Sequence, residues 1–138
     1  MKKIILMLSM LTSLTYFAQA QNKDYKVVFD MTSKDSLNQQ ALLREMSLIK
    51  SGNPDAKIEA VIYGQGLALV TKEGSSVQSE IARLSSMKDV SFKVCALSMK
   101  RNNIDKSQLL PGVEVVPDGI YEIISKQRDN WGYIKVAH

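Results

Sequence analysis

One side chain in this 138-residue chain is a nucleophile by its element alone: Cys95, the only cysteine. It closes the stretch Val90-Ser91-Phe92-Lys93-Val94-Cys95, in which Val90, Phe92 and Val94 alternate with Ser91 and Lys93. That period of two marks a strand with one face more buried than the other. Ala96-Leu97-Ser98-Met99-Lys100-Arg101 follows and reads as the start of a helix. A thiol between a strand's end and a helix's beginning meets aimed N–H groups and a positive dipole end, both of which favour thiolate. Lys93, Lys100 and Arg101 flank it in sequence, and a cation near a thiolate lowers its pKa and attracts anionic sulfur species. Lys93, by its strand position, points away from the apolar side chains and reads as a solvated charge. Two readings of Cys95 stand together: a reactive thiol, or a small packed residue, since free cysteine is among the most buried residue types.

Other constellations exclude more than they suggest. Gly64-Gln65-Gly66 is not a dinucleotide fingerprint, because Leu69 occupies the place of the third glycine, and no phosphate-cradling loop with Gly-Lys-Ser/Thr occurs. These glycines read either as a tight turn after a strand or as the floor of a small-ligand site beside Cys95. The single histidine is His138, the last residue, so one cysteine and one terminal imidazole make no metal-ligand set. No metal or cofactor is expected. Asp30, Asp118 and Glu122 fall near strand ends but read as helix caps or solvated surface, and Trp131 and Tyr133 as packing or subunit-contact residues.

The first twenty residues read as a cleaved export signal rather than as part of the fold. Lys2 and Lys3 form a basic start, Ile4 to Leu11 with Leu14 to Phe17 an apolar core, and Ala18-Gln19-Ala20 a small-residue cleavage site. The apolar core is too short and too interrupted by Ser and Thr for a membrane span, so no stable membrane insertion is expected after cleavage. A mature chain from Gln21 in the periplasm or outside the cell is expected, one domain over residues 21–138. Without Lys2 and Lys3 the 18 basic residues become 16 against 14 acidic ones, a net charge of about +2, too weak to argue for nucleic acid. An exported protein ordinarily pairs its cysteines. With one, this chain makes no intrachain disulfide and no dithiol chemistry, which leaves burial, an intermolecular disulfide, or chemistry on a single sulfur.

The elements that must position these residues alternate. Tyr25 to Met31 reads as a strand buried on both faces, and Ser36 with Gln39 as a capping box opening a helix to about Lys50. In that helix Leu37, Ala41 and Leu48 form one stripe, widened by Leu42, Met46 and Ile49. Lys57 to Tyr63 is a second strand, Leu67 to Lys72 is ambiguous, and Ser75 with Gln78 caps a helix marked by Val77, Ile81 and Leu84. After the Cys95 strand come polar connectors, a short strand Val113 to Val116, and a helix capped by Asp118 with core face Ile120, Ile123 and Ile124. Trp131 to Val136 is a last strand, with Ile134 and Val136 on one side. The order implies a three-layer α/β/α sandwich around a mostly parallel sheet of about five strands. In such sheets ligands bind beyond the carboxyl ends of the strands, where Cys95 lies.

With these residues placed, the chain resembles the DsrE/DsrF-like family, a sulfur-relay group that includes TusD- and YchN-like proteins. The likeness runs from about Tyr25 to Val136: Lys26-Val27-Val28-Phe29-Asp30, Val61-Ile62-Tyr63-Gly64-Gln65-Gly66-Leu67, the strand ending in Cys95, and a tail. That tail reads Pro111-Gly112-Val113, Val116-Pro117-Asp118-Gly119-Ile120, Gln127 and Trp131-Gly132-Tyr133-Ile134. The resemblance implies assembly into a homo-oligomer, a trimer or hexamer, and a cysteine at Cys95 that accepts sulfur as a persulfide and passes it between a donor and an acceptor protein. Cys95 is then the catalytic residue, with Gly64, Gln65, Gly66, Lys100 and Arg101 as substrate-binding residues. The export signal departs from the cytoplasmic setting of such relays, and Asn130 stands where the tail often has Gly. Asn tolerates the left-handed backbone that such a glycine adopts. Against the sulfur-carrier reading stands a non-catalytic binding or assembly module with a packed cysteine.

Overall fold

The computed structural model describes residues 24–136. The expected export signal, its cleavage point before Gln21 and His138 lie outside the described residues. Five strands carry the fold: β1 (Lys26–Met31), β2 (Lys57–Ile62), β3 (Val90–Cys95), β4 (Val113–Val116) and β5 (Gly132–Val136). They form one sheet in the order β4-β3-β2-β1-β5, and every pairing is parallel. Parallel neighbours need crossovers, and the helices supply them: α1 (Ser36–Gly52), α2 (Gln78–Ser85), α3 (Ala96–Arg101) and α4 (Gly119–Arg128).

The two faces are covered unequally. Leu42, Leu43 and Met46 of α1, Ile81 and Leu84 of α2 and Met99 of α3 pack with Phe29, Met31, Ile58, Ile62, Phe92 and Val94 into one large core. On the opposite face a second cluster holds Val28, Val61 and Ile123 of α4, with Tyr63 and Trp131 packed against it. Helices α1 to α3 thus share one face, and α4 alone covers the other.

Several local expectations give way to tertiary context. The cap of α1 is Asp35, whose Oδ1 accepts the Leu37 N–H at 2.8 Å, not Ser36. The Gln39 amide instead donates to the Ser33 carbonyl at 3.5 Å. Leu42 and Met46 are buried, whereas Leu37 and Leu48 are 63% and 59% exposed. The helix turns by about 20° per heptad against a 3.5-residue repeat, so two overlapping stripes cannot both face the sheet over 17 residues. Space on the buried side goes to Asn38 and Gln39, Asn38 donating to Ser33 Oγ at 2.8 Å.

Ser75 and Gln78 close a turn just before α2, with Gln78 Nε2 donating to the Ser75 carbonyl, and the N-cap position itself is Val77. Most of the ambiguous Leu67 to Lys72 stretch belongs to a 3-10 segment, Gly64–Val70. In α4 only Ile123 of the three isoleucines is buried; Ile120 and Ile124 are 56% and 42% exposed, because the helix turns Gly119, Ile123 and Lys126 towards the sheet instead. Ile134, at the sheet's edge, is likewise exposed. Asn130 has φ 61°, the left-handed turn that leads from α4 to β5.

Candidate functional site

Cys95 ends β3, pairs in register with Val116 of β4 and immediately precedes α3. The chain leaves β3 for the α1–α3 face and leaves β4 for the α4 face. Cys95 therefore stands where two adjacent connections part to opposite faces, the position at which open α/β sheets bind ligands. Its side chain points to the α4 side. A Cβ added to Gly119 would lie 3.2 Å from both Cys95 Cβ and Val61 Cγ1, so glycine at the first position of α4 permits the close approach.

Two helix starts converge on the sulfur. Burial, the largest single influence, pushes the thiol up, and Cys95 is 5% exposed. The Gly119, Ser98 and Leu97 N–H groups and the Ser98 hydroxyl lie around the sulfur and together bring its pKa below the ordinary thiol value, although no cap hydrogen bond closes on it. Asp118 caps α4, its Oδ1 accepting the N–H groups of Ile120 at 2.8 Å and Tyr121 at 3.3 Å. This fixes the first turn and so the aim of Gly119. The helix expected after Cys95 is present but has 6 residues. Its contribution comes from local N–H groups more than from a macrodipole.

The flanking residues divide. Gly64 has φ +58° and donates its N–H to Ser98 Oγ at 3.0 Å, which ties the glycine turn to the hydroxyl beside the sulfur. Gln65 is exposed, and Gly66 is buried where a Cβ would meet the Met31 carbonyl oxygen at 2.8 Å, so its smallness serves the packing of β1. Lys100 and Arg101 are exposed in the last turn of α3, at the end away from Cys95. Lys100 lines a groove of about 360 Å³ with Ala96, Met99, Ile104, Asp105, Lys106 and Val115. Lys93 is not a free solvated charge: it pairs with Glu114 at 2.5 Å and its side chain is 17% exposed.

A second polar group lies on the same face of the sheet. Asp30, read from sequence as cap or surface, is 4% exposed on β1, where Tyr133 Oη donates to its Oδ2 at 2.6 Å and Lys135 Nζ to its Oδ1 at 3.1 Å. Lys135 also donates to Thr32 Oγ1 at 3.0 Å. Tyr63, just past β2, packs against the same Gly119 as Cys95 does. Burial first, then the neighbouring Asp30, holds the Tyr63 phenol well above the usual range, so it stays a proton donor. The same hydrogen bond to Asp30 pushes Tyr133 up to about 12.

Sequence reasoning missed Gly119 and Ser98 as neighbours of Cys95, and also Glu59. Glu59 is 2% exposed in the middle of β2, and a charge inside Ile58-Glu59-Ala60-Val61-Ile62 was the signal available. Its Oε2 accepts from Lys126 Nζ at 2.9 Å and Ser91 Oγ at 3.1 Å, while Oε1 has no partner. Among the described residues no group of three or more His, Cys, Asp or Glu side chains is arranged to hold a metal ion, and no helix is long and apolar enough to cross a membrane.

An all-parallel five-stranded sheet with a thiol at its topological switch defines a class of small α/β proteins. The chain belongs to the DsrE/DsrF-like family, which it matches over residues 25–136. It is similar to the solved structure of MTH1491 from Methanobacterium thermoautotrophicum, described as a protein of unknown function. Identity is 27% and the TM-score 0.77, over 81% of this chain and 99% of that one. It shares its fold with the ychN protein of E. coli at a TM-score of 0.66 and 16% identity, covering 80% of this chain and 98% of that one. A search of curated proteins gave no significant match.

Proposed function

We propose that this protein binds or carries sulfur as a persulfide on Cys95. The observation that carries the reading is the place of Cys95, at the end of β3 between the starts of α3 and α4, with Gly119 packed against it. The Cys95 thiolate attacks the outer sulfur of a donor persulfide, R–S–S–H. A sulfur–sulfur bond forms on Cys95, the donor's own breaks, and the donor leaves as R–S⁻ while its proton stays on the transferred sulfur. Handing the sulfur to an acceptor thiolate repeats the exchange in reverse. Membership of a family related to sulfur relays supports this chemistry, and a single cysteine suffices for it. Residues 1–20 as an export signal and assembly into a homo-oligomer belong to the same proposal.

A second reading rests on the 5% exposure of Cys95: a packed residue in a binding or assembly module. Incubation with a sulfane-sulfur donor and mass spectrometry separate the two. The carrier gains the mass of one sulfur, and Cys95→Ser abolishes the gain. A wild-type protein that stays unmodified with several donors, and whose thiol resists alkylation until unfolding, rejects the carrier.

A further inference from the structure

The stripe of α4 that faces the sheet is Gly119, Ile123 and Lys126, spaced i, i+4 and i+7. Gly119 meets Cys95, Ile123 joins Val28 and Val61, and Lys126 meets Glu59 at 2.9 Å. Seven residues of helix put the first and last contacts about 10 Å apart. Between them stands one buried isoleucine, while Ile120, Tyr121 and Ile124 face solvent. So small an apolar contact leaves the ionic end to set how the helix lies.

That end is closely built. Lys126 also approaches Glu122 Oε1 at 3.5 Å and lies 4.6 Å from the centre of the Trp131 ring. Ser91 donates to the same Glu59 oxygen that receives Lys126. Lys57 and Asp89 line the cleft of about 210 Å³ beside it. Two carboxylates thus hold one ammonium, which is fixed in direction by the buried one. Because α4 is a single rigid element, tilting its Lys126 end displaces the Gly119 N–H at the other.

We propose that the Glu59–Lys126 ion pair positions the start of α4 on Cys95 and thereby sets the reactivity of the thiol. This rests on reading Cys95 as a reactive thiol, but not on what the thiol carries. Glu59 and Lys126 are positioning residues: they act through the helix and touch neither sulfur nor donor.

The test is the rate of iodoacetamide alkylation of Cys95 against pH in the folded full-length chain, with circular dichroism as the check on folding. Glu59→Gln and Lys126→Met are expected to slow alkylation at neutral pH about fivefold and to move the pH profile upward. Lys126→Arg is expected to restore most of the rate. Arg83→Met, which breaks the Glu80–Arg83 ion pair of α2 on the opposite face, is expected to stay within twofold of wild type. If the single variants fail to fold, the double variant Glu59→Met/Lys126→Met replaces the pair by apolar side chains, which buried pairs commonly tolerate. It is expected to fold and still alkylate slowly. An unchanged pH profile in either folded single variant, or in the folded double variant, overturns the coupling, as does an equal slowing in Arg83→Met. A wild type that alkylates readily but takes up no sulfane sulfur overturns the proposed function and leaves the coupling standing.

Discussion

On the face covered by α1 to α3, Phe29, Ile58, Leu84 and Phe92 are each no more than 1% exposed in a large apolar cluster, with Asn38, Gln39 and Lys50 of α1 as its buried polar side chains. On the α4 face the same strands present Asp30, Glu59, Ser91 and Lys93, each held by a named partner. The first face stabilises by removing apolar area from water, without regard to direction. The second depends on direction, since its hydrogen bonds and ion pairs work in one geometry only. The thiol faces the second. On the proposed coupling, stability and thiol reactivity are set largely by different sides of one sheet, and substitutions move them separately.

The largest expected effect tests the apolar side. Phe92→Ala is expected to cost about 3–5 kcal/mol in urea unfolding, since a fully buried ring leaves a cavity. Its alkylation profile, read below the unfolding transition, is expected to stay that of wild type. A shifted profile there breaks the division between the faces.

Asp30→Asn tests the polar side and is expected to cost roughly 1–3 kcal/mol, the range for a buried hydrogen-bonded charge whose partners are weakened. Its sharper signature is spectroscopic. Tyr133, held at about 12 chiefly by its hydrogen bond to Asp30, is expected to titrate closer to 10 in a tyrosinate absorbance measurement. An unmoved Tyr133 titration removes Asp30 as the cause.

The smallest effect is a pH dependence. The thiol's pKa is lower folded than unfolded. Its contribution to stability is therefore fully present above the unfolded pKa, about 8.5, and is lost as pH falls through the folded pKa. The stability advantage of wild type over Cys95→Ser is expected to widen as pH rises from neutral to about 9. A gap that stays flat over that range shows no lowered thiol.

The sheet and the place of Cys95 were legible because both follow from local patterns: alternation in Val90 to Val94, a long apolar run at Val27-Val28-Phe29, and turn residues between. The fifth strand's return to β1 and the identity of the sulfur's donors were not. Gly119 is 24 positions from Cys95 and looks like an ordinary residue after a cap; only the crossing of α4 brings its N–H to the thiol. Asp30 and Glu59 were obscured for a related reason. A charge in a buried strand is explained by its partners, and Tyr133, Lys135 and Lys126 lie 67 to 105 positions away. The phase of α1 was misjudged because Asn38 and Gln39 satisfy their amides on Ser33 and so occupy buried sites normally given to leucine.

The strand order carries a consequence for how the molecule comes into being. The first strand made, β1, lies inside the sheet, and one of its two neighbours is β5, the last. During synthesis from the N-terminus, β2, β3 and β4 can add outward in turn, while β1 keeps one bare edge lined by Val27, Val28 and Phe29. Such an edge is a template for unwanted pairing. The segment that closes it brings α4 with it, and with α4 the Gly119 N–H. An unfinished chain therefore holds Cys95 without α4 packed against it, and on the proposed reading the thiol gains its reactivity only when the last strand has shut the sheet.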